Sequence, residues 1–276
     1  MIRFSHSVFA LPFALAGVVF AAHGEGRMPP LPVWGWVVVA MVGARSAAMG
    51  MNRLVDAEQD RANPRTRTRE IPRGILSPAT VGLFTFLFAA LFVFAASRIN
   101  QLAFLLSPVA LGIVFFYSFT KRFTWTSHAF LGLALAVAPV GGWVAVTGRL
   151  SPEPFLLALA VLLWVAGFDM LYALQDLEFD RKTGLHSLPA RFGVGGALAA
   201  ARACHFLAVV LFALLGRVLG LSPLYLVGVV VIAAILVYEH RLVRVDDLTR
   251  LDKAFFDMNA VVGLVYLGAA AVGVLA

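Results

Sequence analysis

Residues 31–60 read LPVWGWVVVAMVGARSAAMGMNRLVDAEQD. Residues 31–51 carry one charge, Arg45. About 20 mostly apolar residues of helix cross a bilayer, so this run is long enough to span. It leads directly into Asn52, Asp56 and Asp60. Positions i, i+4 and i+8 lie near one helix face, so the three form a polar stripe on the last turns of a helix leaving the membrane. The Asn63-Pro64 pair disfavours helix at residue 63 and closes the element.

The pattern returns once. Residues 169–180 read DMLYALQDLEFD, which puts Tyr172, Asp176 and Asp180 in a second stripe, with Gly184 as the terminator. Asp56 and Asp176 are 120 residues apart, and so are Asp60 and Asp180. On a plain helix end this is poor electrostatics. Like charges at i, i+4 cost about 0.2–0.5 kcal/mol, and carboxylates at a helix C-terminus oppose the macrodipole by about 0.3–1 kcal/mol each. A bound cation reverses both signs. Magnesium suits such a site, because it is typically held by one or two carboxylates together with substrate phosphates. A solvated acidic face would explain one such stripe, but two on the same face argue against it.

The composition agrees with a membrane setting. Of 276 residues, 61% are hydrophobic and 13% charged, and the mean hydropathy is +0.89. Soluble domains are about 45–50% apolar and about 25% charged. Nine segments qualify as spans: about 7–23, 31–51, 79–97, 100–120, 127–147, 152–174, 198–216, 221–239 and 255–276. No polar stretch is long enough for a second domain, so residues 1–276 read as one membrane domain. The first apolar run follows only Arg3, lacks a clear cleavage site and reads as a retained helix.

Alternating the loops gives an orientation. Of the 22 Lys and Arg residues, seventeen fall on the N-terminal side, four (Arg27, Arg98, Arg149, Arg217) on the other, and Arg45 lies within a span. The positive-inside rule then makes the N-terminus and loops 2–3, 4–5, 6–7 and 8–9 cytoplasmic. Both acidic motifs share that face. The net charge of +7 therefore reads as topology and phosphate binding, not nucleic-acid binding. Four spans separate the motifs, which suggests two parallel four-helix repeats plus a ninth helix, with the site between them.

Basic residues accompany the acids. Loop 2–3 continues NPRTRTREIPR over residues 63–73, and Lys121-Arg122 follows Tyr117 at the end of the fourth span. Guanidinium groups bind phosphate oxygens bidentately, although some of these arginines serve only as anchors. Arg45, an intramembrane charge, is a functional candidate by default. It lies about two turns before Asn52 and is paired here with Asp169. His6, His128, His186 and His205 show no metal-ligand spacing and read as packed or surface residues, and Cys204 as a small buried residue.

At these residues the chain resembles the UbiA superfamily of intramembrane aromatic prenyltransferases. The likeness rests on N-x3-D-x3-D at Asn52, Asp56 and Asp60, and on N-x-R-T-x2-R at Asn63, Arg65, Thr66 and Arg69. It rests also on Y-x3-K-R at Tyr117, Lys121 and Arg122, and on D-x2-Y-x3-D-x3-D at Asp169, Tyr172, Asp176 and Asp180. One departure is Arg53, where many members have Asp. The resemblance implies an all-α integral membrane protein of nine transmembrane helices around a central cavity that opens to the bilayer.

It implies two Mg2+ ions at Asn52, Asp56, Asp60, Asp176 and Asp180. With Arg65, Arg69, Lys121, Arg122 and Tyr172 these would bind a polyprenyl diphosphate. The chain would prenylate an aromatic acid, with Asp169 or the released diphosphate as the ring-proton base, and the tail would lie among apolar side chains and lipid. The expected location is the cell inner (cytoplasmic) membrane. Residues 175–189 and the N-terminal FSHSVFALPF of residues 4–13 resemble the branch of the futalosine route to menaquinone. That favours 1,4-dihydroxy-6-naphthoate, with 4-hydroxybenzoate next. A cation-coupled transporter, the rival from another class, would place its acids near the bilayer midplane.

Overall fold

The computed structural model describes residues 9–243, 251 and 257–276. Arg3, His6, most of the N-terminal branch stretch, Arg244, Arg250, Lys253 and the starts of the first and ninth expected spans lie outside the described residues.

Every element among the described residues is helical. The long ones are α1 (Leu11–Glu25), α2 (Leu31–Val55), α4 (Pro78–Ile99), α5 (Gln101–Thr120), α6 (Ser127–Thr147), α7 (Pro152–Tyr172), α9 (Leu188–Val218), α10 (Pro223–Leu242) and α11 (Asn259–Leu275). Two short helices, α3 (Ala57–Ala62) and α8 (Leu177–Thr183), extend α2 and α7; a 3-10 turn, Ala173–Asp176, precedes α8. Seven helices are long and apolar enough to cross a membrane, while α1 and α11 are shorter apolar helices at the first and ninth expected positions.

The starts follow capping chemistry. Ser77, Asn100 and Ser187 each accept a hydrogen bond from a backbone N–H of the first turn of α4, α5 and α9. Proline in the first turn of most of the long helices wastes no donor. The helix expected to begin near residue 198 begins at Leu188 instead, and Gly193, at φ +72°, kinks it.

The packing repeats along the chain. Helix α2 lies along α4 as α7 lies along α9; α4 meets α5 as α9 meets α10; α5 leads onto α6 as α10 leads onto α11. This is the pattern of two four-helix units and a closing helix. The units are joined where α1 crosses α6. There a Cβ on Gly142 would stand 2.0 Å from the Ala14 carbonyl oxygen, and one on Gly17 2.3 Å from that of Pro139. Only hydrogen fits, as is usual where membrane helices approach closely.

Phe13, Trp164, Phe168, Phe212, Tyr225 and Tyr266 form an aromatic core. The outer face is apolar too, with Phe86 69% and Phe206 68% exposed. A bundle apolar both inside and out is built for lipid. The C-terminal ends of α2, α5 and α7 and the N-terminal ends of α6 and α9 gather on one face, where both acidic motifs lie.

Candidate active site

Neither acidic stripe continues its helix. Helix α2 stops at Val55, and Asp56 turns out of it with φ −90° and ψ 6°. The 3-10 turn stops at Asp176, with φ −102° and ψ 3°. The two breaks have nearly the same geometry, as repeated units require. They also correct the expectation of carboxylates opposing a helix dipole, because Asp60 and Asp180 fall in the first turns of α3 and α8. There a negative charge is favoured.

Three of the motif acids, Asp56, Asp60 and Asp176, are held by basic and amide groups, largely from elsewhere. Asp56, 2% exposed, accepts from Lys121 Nζ at 2.7 Å, Asn52 Nδ2 at 3.0 Å and Arg122 Nη2 at 3.1 Å. Asp60 accepts from Arg69 Nη1 on both oxygens, at 2.6 and 2.8 Å. Asp176 accepts from Asn63 Nδ2 and Arg65 Nε, each at 2.9 Å, and from Arg65 Nη2. Arg65 also donates to the Tyr172 hydroxyl at 2.9 Å, with its guanidinium 5.1 Å from the ring centre. Burial works against the charge on Arg65, but its bond to the Asp176 carboxylate outweighs this and raises its pKa above the ordinary arginine value. The first repeat's loop thus grips the second repeat's aspartate.

A polar chamber of about 190 Å3 is lined by Asn52, Asp56, Asp60, Arg65, Arg69, Lys121, Asp169, Tyr172, Asp176 and Asp180. Arg122 is not among its lining residues. Its donors go to the Ser118 and Val55 carbonyls, Asp56 and Gln59, so it clamps α5 to the break after α2 and stands behind Asp56.

The expected Arg45–Asp169 pair does not form. Asp169 lies 2.7 Å from His128 Nδ1, and Arg45 lines a different cavity. That cavity, about 170 Å3, runs between α1, α2, α4, α5 and α6 and is walled by small apolar side chains, many of them alanine. Tyr117 and Leu131 line both spaces, which therefore lie side by side. Arg45 is the charged residue in the apolar wall, and its Nε has no hydrogen-bond partner. The pairing failed because equal depth on two helices does not bring side chains together. The contact of His128 with Asp169 was missed as well, because metal-ligand spacing carries no signal for a single His–Asp pair.

Among the described residues no group of three or more His, Cys, Asp or Glu side chains is placed to hold a metal. The two polar stripes carry two aspartates each, Asp56 with Asp60 and Asp176 with Asp180, too few for an all-protein cage. That fits magnesium, which completes its octahedron with water and substrate phosphate oxygens. The result is a chamber lined by carboxylates and arginines beside an apolar cavity.

The sequence profile of the UbiA prenyltransferase family matches residues 10–261. Among relatives, the 4-hydroxybenzoate octaprenyltransferase of Vibrio campbellii is 30% identical over 255 residues, covering 91% of this chain and 87% of the relative. That of Marinobacter nauticus is 32% identical over 227 residues, covering 82% and 77%. The apo structure of a UbiA homolog from Aeropyrum pernix K1 superposes with a TM-score of 0.88 at 33% identity, covering 98% of each chain. A UbiA homolog from Archaeoglobus fulgidus bound to GPP and Mg2+ shares the fold, with a TM-score of 0.68 at 22% identity and 98% of each chain covered. The chain belongs to the UbiA prenyltransferase family and is a multi-pass membrane prenyltransferase.

Proposed function

We propose that the protein transfers a polyprenyl group from its diphosphate to the ring of an aromatic acid, with magnesium held at the two aspartate motifs. One observation carries this: the charged chamber and the apolar cavity meet at Tyr117 and Leu131. A diphosphate with a long hydrocarbon tail has the same division.

Asn52, Asp56 and Asp60 would hold one ion and Asp176 and Asp180 the other. The ions would offset negative charge on the diphosphate as its bond to the allylic carbon breaks. Arg65, Arg69 and Lys121 already stand at these carboxylates and share the same task for the phosphate oxygens. Arg122 holds Asp56 in place, and Tyr172 fixes Arg65. The apolar cavity takes the tail and keeps water from the allylic carbon. The electron pair of the breaking C–O bond leaves on the diphosphate. The acceptor ring forms a new C–C bond and then loses a proton, for which Asp169 is the base. Arg45, its Nε unpartnered, suits the acceptor's carboxylate.

The likeness of residues 175–189 to the futalosine branch favours 1,4-dihydroxy-6-naphthoate as the acceptor. The second reading, 4-hydroxybenzoate, is favoured by relatives that are 4-hydroxybenzoate octaprenyltransferases. The active-site face is assigned to the cytoplasmic side of the cell inner membrane, its orientation resting on the Lys and Arg bias.

The test is prenylation by purified protein in lipid, offered a long polyprenyl diphosphate with each acceptor, with and without Mg2+. Mg2+-dependent product is expected, falling at least ~10²-fold in Asp56→Ala and in Asp176→Ala. The acceptor that yields product decides the pathway. No product with either acceptor from folded protein would remove the proposal.

A further inference from the structure

His128 sits in the first turn of α6, 3% exposed, and touches two other helices. Its Nδ1 lies 2.7 Å from Asp169 Oδ2 on α7. Its Nε2 lies 3.2 Å from the backbone nitrogen of Leu188, the first residue of α9. A backbone N–H only donates, so Nε2 accepts and carries no proton. The imidazole proton is therefore on Nδ1, and His128 donates to Asp169. The tautomer is set by the main chain of another helix.

The same contact fixes the carboxylate. Oδ2 of Asp169 is occupied by a short, charge-assisted hydrogen bond, and no other hydrogen bond engages the Asp169 side chain among the described residues. That side chain is 22% exposed and lines the polar chamber, as do Tyr117 and Leu131. One oxygen is tethered and the other is free. A base that must meet one ring proton needs such a fixed orientation, with its partner oriented in turn by a third group.

We propose that His128 is a positioning residue for the proton-removal step: it holds the Asp169 carboxylate with Oδ1 toward the acceptor ring, while the Leu188 amide holds His128. This rests on the assignment of Asp169 as the base. In the step the C–H bond at the newly prenylated ring carbon breaks, its proton passes to Asp169 Oδ1, and the electron pair restores aromaticity. His128 keeps its own proton throughout.

Two amide substitutions separate the two ends of the imidazole. His128→Asn would place an N–H near the position of Nδ1 and leave the Leu188 amide without its acceptor. His128→Gln would place an amide oxygen near Nε2, keeping the α9 anchor and losing the donor to Asp169. The assay is turnover with acceptor deuterated at the ring position that is prenylated, with a melting measurement on each variant. His128→Gln should lose about 10²-fold in kcat, the scale of a misplaced catalytic group, with KM for the prenyl diphosphate within about twofold. Proton removal should then limit turnover, so a primary deuterium isotope effect should appear on kcat. His128→Asn should recover most of the loss.

Asp169→Asn should lose at least as much as His128→Gln, and the double variant His128→Gln/Asp169→Asn should lose no more than Asp169→Asn alone. The reverse order, with His128→Gln active and His128→Asn inactive, would make the imidazole an anchor for α9 and overturn the proposal. So would a loss in His128→Gln without an isotope effect. If Asp169→Asn keeps its turnover, the base assignment itself falls. If Asp169→Asn fails while His128→Gln turns over normally, only the role of His128 falls.

Discussion

Replacing Arg65 by lysine keeps the charge in the loop after α3 and removes the fork. Arg65 donates through Nε and Nη2 to the two oxygens of Asp176 and through Nη1 to the Tyr172 hydroxyl. A lysine ammonium in that place reaches one of these partners well, because it lacks the planar pair of donors. One charge-assisted bond, about 1.5–3 kcal/mol net, and one bond to a neutral hydroxyl, about 1 kcal/mol, are then lost. The Arg65 side chain is 31% exposed and that of Asp176 19%, so water replaces part of this. A net loss of roughly 1–2 kcal/mol remains, or about 5–30-fold. The assay is kcat/KM for the prenyl diphosphate in lipid, with Mg2+ and acceptor saturating. The control is Arg67→Lys, two residues away on the same loop, exposed and not among the chamber's lining residues. Arg67→Lys should stay within about twofold of the unaltered enzyme. Equal activity of Arg65→Lys and the parent would refute the reasoning from geometry. Equal losses in both variants would show that the effect does not come from the fork on Asp176.

Other expectations follow from the same contacts. Gly142→Val sets a side chain against the Ala14 carbonyl; overpacking by about 1–3 kcal/mol should lower Tm by several degrees, while Gly141→Ala, with nothing near its added Cβ, should not. Ala110→Phe narrows the apolar cavity and should cut kcat/KM for a long prenyl diphosphate by about tenfold relative to a short one; an unchanged ratio would place the tail elsewhere. With Cys204 replaced, single cysteines at Arg149 and Arg181 should react with impermeant thiol reagents from opposite sides of a vesicle.

The long helices were legible in the sequence because their signal is one of length and apolarity, which a bilayer imposes on each span separately. The polar ends of α2 and α7 are legible too, since Asn52 and Tyr172 each open an i, i+4 series. The breaks at Asp56 and Asp176 were not, because neither is marked by glycine or proline; the backbone turns where a carboxylate meets cations from other segments. The partners were hidden for a related reason. Lys121 to Asp56 and Arg65 to Asp176 join residues 65 and 111 positions apart, and which basic residue faces which acid depends on how the units close. Arg45 shows the limit of depth as a guide: it lies at a suitable level for Asp169 but faces the apolar cavity.

The grip of Arg65 on Asp176 also bears on how the protein is made. Synthesis runs at about 5–20 residues per second. The 111 residues between the partners therefore take roughly 6–20 s to emerge after Arg65. For that interval the arginine loop of a half-made chain has no Asp176, and anionic lipid headgroups at the membrane surface are the nearest substitute. Release from those lipids then becomes part of maturation. Membranes poor in anionic lipid should leave the loop untethered during insertion, and the yield of folded enzyme should depend on lipid charge even where its turnover does not.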